Sequence, residues 1–85
     1  MLDENTLIQL AYHFLMDGQT DVAIQAFKIE VQDYPKYWNA YDSLGEAYLK
    51  AGQKDLAIAN YQKSVELNPQ NQNGIDALKK IKEEK

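Results

Sequence analysis

The chain has 85 residues, enough for one domain, and its 45% hydrophobic content is ordinary for a sequence that folds. It contains no cysteine, which excludes disulfides and thiolate metal sites and leaves the redox compartment open. No apolar run approaches the roughly 18 residues of a membrane-spanning helix, and no basic segment followed by an apolar one marks an export signal. If the chain is complete as given, a cytoplasmic location is expected. The net charge of -4 argues against nucleic acid or an anionic membrane surface as the main partner. Residues 1–36 carry six acids and two lysines, whereas the remainder balances, so the whole deficit sits in the first half. A solvated acidic face is the simplest account of it.

In chain order, the apolar spacing predicts a first helix (α1) over about 4–16, with the Asp3 carboxylate placed to accept hydrogen bonds from its first free N–H groups. Asp17-Gly18-Gln19-Thr20 reads as a turn, because helices often end in a left-handed residue that glycine adopts without cost. A second helix (α2) is expected over about 21–33, and Tyr34-Pro35-Lys36 leads out of it. The third (α3) covers about 37–50, with Tyr41, Leu44, Gly45 and Tyr48 on one face, and Gly52 ends it. The fourth (α4) covers about 55–67 with Ala57, Ile58, Tyr61 and Val65 at helical spacing. Asn68-Pro69 stops it, since the residue before proline is pushed out of the α region. Gln70-Asn71-Gln72-Asn73 offers amides suited to capping. A fifth helix (α5) follows from about 74 to 82, with Ile75, Leu78 and Ile81 as a narrow apolar stripe among lysines.

The second half of this pattern repeats the first. Moving residues 38–71 back by 34 positions sets Pro69 on Pro35, Gly52 on Gly18, Asp55 on Asp21, Ala57-Ile58 on Ala23-Ile24, Tyr61 on Phe27 and Leu44 on Leu10. The first copy is looser: Leu7 stands for Tyr41, Ala11 for Gly45 and Glu30 for Ser64. A unit of helix, tight turn, helix and terminal proline at this period resembles the tetratricopeptide repeat. Tyr41 stands for that family's first aromatic, Leu44-Gly45 for its leucine-glycine pair and Tyr48 for the tyrosine that follows. Ala57, Tyr61 and Pro69 stand for its packing alanine, second-helix aromatic and terminal proline. Ser64 replaces an alanine and is still small. The resemblance implies an all-α superhelix: repeat 1 over about 4–37, repeat 2 over about 38–71, and a capping helix over about 73–84. In that register Lys79 and Lys82 take core positions of a third repeat, so α5 is expected to cover α4 and to accept no further helix.

No catalytic constellation stands out. His13 is the single histidine, expected to be partly buried between helices, and no second histidine or cysteine completes a zinc set. Ser43-Leu44-Gly45 lacks the strand-to-helix context of a nucleophile elbow, and the four glycines are too dispersed for a phosphate loop. Neither an enzyme nor a cofactor is expected. What the resemblance implies is a concave groove lined by Asn5, Ile8, Gln9, Tyr12 and Met16 from α1 and by Asn39, Asp42, Ser43, Glu46 and Lys50 from α3. Asn73, Asp76, Ala77 and Lys80 continue it on α5. Such a groove takes a protein or peptide, here one with an apolar anchor and a basic neighbour. Lysine-based capture of a C-terminal carboxylate is disfavoured, since Ile8 and Tyr12 occupy those positions. Two repeats make a small core, so self-association into a homo-oligomer is a competing expectation, with Ile8 and Met16 packing against another copy. A third is a C-terminal accessory domain of a larger enzyme, such as a bacterial serine hydrolase with appended repeats.

Overall fold

A computed structural model describes the backbone of residues 4–83 and the side chains of residues 6–83. The predicted cap Asp3 and the side chain of Asn5 lie outside the described residues. Five helices follow one another: α1 Glu4–Met16, α2 Thr20–Asp33, α3 Trp38–Lys50, α4 Lys54–Leu67 and α5 Gln72–Glu83. The first four match the expected bounds to within a residue, and α5 begins two residues earlier than its apolar stripe suggested. Loops of three or four residues leave no room for crossovers, so each helix runs back along the previous one and packs on it.

The two halves agree in detail. Gly18 and Gly52 both take positive φ, at 86° and 79°. Past each of them a backbone N–H closes the helix: Gln19 N–H donates to the Phe14 carbonyl and Gln53 N–H to that of Tyr48, both at 2.9 Å. At the far end, Tyr34 N–H donates to Glu30 and Asn68 N–H to Ser64, again both at 2.9 Å. Each of these pairs is 34 residues apart, so the repeat seen in the residues is also a repeat in the backbone.

Small residues let the helices approach. Ala11, Ala23, Ala40, Ala47 and Ala57 are fully buried, and Phe27, Leu44, Tyr48, Tyr61 and Ile81 fill the spaces between them. Gly45 is required by this closeness: a Cβ there would meet the base of the Tyr61 ring at 3.0 Å. The looser first copy pairs Ala11 with the smaller Phe27 instead. Gly74 is a second packing glycine, one that periodicity alone did not reveal. Its Cβ would meet the Asn71 amide at 2.6 Å and Val65 at 3.0 Å.

The ends of the array are distinguishable by one face. Where α3 meets the preceding helix it presents Ala40, Ser43, Leu44 and Ala47, all buried, and α5 presents Gly74, Ala77, Leu78 and Ile81 at the same register. The same positions of α1 are Thr6, Gln9, Leu10 and His13, all exposed. That face of α1 is built mainly for water, and His13, expected between helices, stands on it in solvent beside Phe14. The contact stripe of α5 also differs from the expected one. It runs through Gly74, Ala77, Leu78 and Ile81, while Ile75 remains 37% exposed and Lys79 and Lys82 face solvent.

Candidate functional site

The odd-numbered helices run parallel to one another, and side chains from successive members meet. Between α1 and α3, the Tyr12 hydroxyl donates to Glu46 Oε1 at 3.2 Å and lies 2.8 Å from Ser43 Oγ. With Tyr12 donating to the carboxylate, the serine hydroxyl is the donor of the shorter bond. The Tyr12 ring stands edge-on to Phe27, with centroids 5.2 Å apart. Burial raises the Tyr12 pKa to about 12, with the neighbouring Glu46 and Asp42 charges adding to the rise and Ser43 opposing it. The Tyr61 phenol is also held neutral well above its usual range, first by burial and then by the same two carboxylates.

Between α3 and α5 a denser polar network forms around Asn71, which is 5% exposed. Its Nδ2 donates to Ser64 Oγ at 2.8 Å and to Asp42 Oδ1 at 3.2 Å, and its Oδ1 accepts the Gly74 N–H at 3.2 Å, which caps α5. The Ser64 hydroxyl donates onward to the Trp38 carbonyl at 2.9 Å. Asn73 Nδ2 completes the shell of Asp42 at 2.9 Å. Ser64 is thus more than a small residue in place of alanine: it joins α4 to the start of α3 and to the cap. In the first half the same position holds Glu30, which is fully buried.

These networks sort the expected groove residues by what surface they offer. Ser43 is wholly buried, Asp42 is 6% exposed and Ile8 8% exposed, so these three present little to a ligand. Tyr12, Asn39, Glu46 and Ala77 are half-buried, and Gln9, Lys50, Asn73, Asp76 and Lys80 are exposed. Asp76 accepts a bond from Gln72 on its own helix at 2.8 Å. Met16 is 87% exposed at the end of α1. Of the apolar-aromatic end expected at α1, Ile8 and much of Tyr12 are thus spent on internal packing, and Met16 stays open. An apolar lining also opens at the other end, in a cleft of about 470 Å³ between α3 and α5. Leu49, Ala77 and Ile81 line it, with Lys54, Lys80 and Asp76 around them. Leu49 lies three residues past Glu46 on α3, a spacing that shares a helix face.

With the helix-turn-helix geometry, the glycine turn and the Gly45–Tyr61 contact in place, the comparison with known families is direct: residues 38–71 match the tetratricopeptide repeat. The chain carries a tetratricopeptide repeat. No curated protein matches it. Within the tetratricopeptide unit, Leu44, Gly45, Tyr48, Ala57 and Tyr61 form the buried interior. The polar residues Asp42 and Ser64 tie that unit to α5, so the cap is bonded to the repeat as well as packed on it.

Proposed function

We propose that this chain is a non-catalytic interaction module whose α1, α3 and α5 face takes a peptide or protein segment. Residues 4–37 act as the first repeat, residues 38–71 as the second and α5 as the cap. The observation that carries this reading is the matched repeat, since tetratricopeptide repeats generally bind proteins. The disposition of charge supports it: Glu46 and Lys50 on α3, like Asp76 and Lys80 on α5, are four residues apart, a spacing that sets each pair on one face of its helix. Opposite charges in a line fix the register of an extended ligand more than they add affinity.

The test uses a displayed random-peptide library selected on the immobilised chain, followed by Kd measurement for enriched peptides. Glu46→Lys and Lys50→Glu are expected to weaken binding about tenfold or more, each removing one charge pair of roughly 1.4 kcal/mol. Ile29→Lys, on the exposed side of α2, should leave it unchanged. Equal losses in all three variants, or none in any, would count against the groove.

A further inference from the structure

The corner between α1 and α2 and the cleft beside α5 match each other in chemistry. Met16 is 87% exposed, and the next residue, Asp17, is exposed as well, its carboxylate accepting a bond from Gln19 Nε2 at 2.8 Å. The corner therefore offers one unbranched apolar side chain next to a negative charge. The cleft offers the converse: an apolar lining of Leu49, Ala77 and Ile81, with the exposed Lys80 at its side. Methionine suits such a lining, because its flexible thioether fills irregular apolar gaps. Position matters as much. Because α1, α3 and α5 run in the same direction, the end of α1, the α3–α4 turn and the last turns of α5 all fall at one edge of the molecule.

We infer that this edge is an interface between two copies of the chain, with Met16 of each seated in the α3–α5 cleft of the other. A two-fold axis at the edge, between corner and cleft, makes both contacts at once, so the assembly closes at two rather than growing into a fibre. The corners are small, which makes the dimer a weak one, with a dissociation constant of about 10 µM or higher. The acidic first half then has a partner in the lysines of α5, and the charge asymmetry of the sequence becomes a pairing signal.

The test is sedimentation equilibrium of the full chain without peptide, across about 5 to 500 µM at low salt, a range that brackets the expected dissociation constant. The mass is expected to rise from that of one 9.8 kDa chain toward twice that value. Met16→Lys and Lys80→Glu, both at exposed positions, should each hold it at the monomer, with circular dichroism unchanged. Combining Asp17→Lys with Lys80→Glu should restore the dimer. A monomer mass throughout overturns the proposal, as does association that both single variants leave intact. Because no peptide is present, either outcome leaves the peptide-binding reading to its own test.

Discussion

The Asn71 side chain makes three hydrogen bonds. Its amide satisfies Ser64 and Asp42 while its carbonyl oxygen caps α5, so one residue holds three helices. Asn71→Ala removes the cap and leaves two buried acceptors short of a donor. Destabilisation of roughly 2–4 kcal/mol is expected from the sum of a lost cap and an unmet buried group, measured by urea unfolding. Part of this role was legible, since the Gln70–Asn73 run advertises capping amides. The reach to Asp42 was not, because sequence spacing says nothing about contacts 29 residues apart. Tyr12 makes a different prediction. Its phenol is neutral up to about pH 12 in the fold, but titrates near 10 when unfolded. The unfolded chain therefore binds fewer protons between those values, and stability must fall as pH rises from about 10. Thermal melts at pH 9 and 11 should show that fall, and Tyr12→Phe should make it smaller; an unaltered pH response in the variant would contradict the assignment.

At the scale of the element, helices and turns were the most legible features. Proline after α2 and α4, and glycine after α1 and α3, are punctuation whose physical cause is local. What stayed hidden was the depth of each helix face. The same apolar-to-polar period that marks a stripe cannot say whether Ile75 or Ala77 is turned inward, because a small residue is read as neutral and a large one as buried. In α5 the small residues win, since close approach to α4 needs Gly74 and Ala77 on the contact side. Gly74→Ala is accordingly expected to loosen this helix: the added methyl displaces the Asn71 amide, at a cost of about 1–3 kcal/mol despite alanine's better helix propensity. Hydrogen exchange should show the loss first in the α5 amides, with those of α1 and α2 little changed. Uniform loss across all five helices would mean that α5 and the repeats unfold as one unit.

For the whole molecule, a buried core of five alanines, six leucines and isoleucines and three aromatics among the described residues is modest, and repeat arrays depend on neighbour contacts for much of their stability. The cap supplies such a contact for α4, and polar bonds across α1–α3 and α3–α5 add to it. The fold class and the 34-residue period were readable because both rest on spacing. The groove was readable only as a list of positions. Which of them are open depends on side chains meeting across helices: Tyr12 spent on Ser43 and Glu46, and Asp42 on two asparagines. The result closes Ile8 and much of Tyr12 on α1, leaves Met16 open and adds an apolar cleft at the α3–α5 end. The most direct measurement is amide chemical-shift mapping of the isotopically labelled chain, titrated with peptides enriched from the displayed library. The account predicts that the largest shifts fall on Gln9, Glu46, Lys50, Asp76, Lys80 and their neighbours along α1, α3 and α5. Shifts centred on α2 and α4 would contradict it.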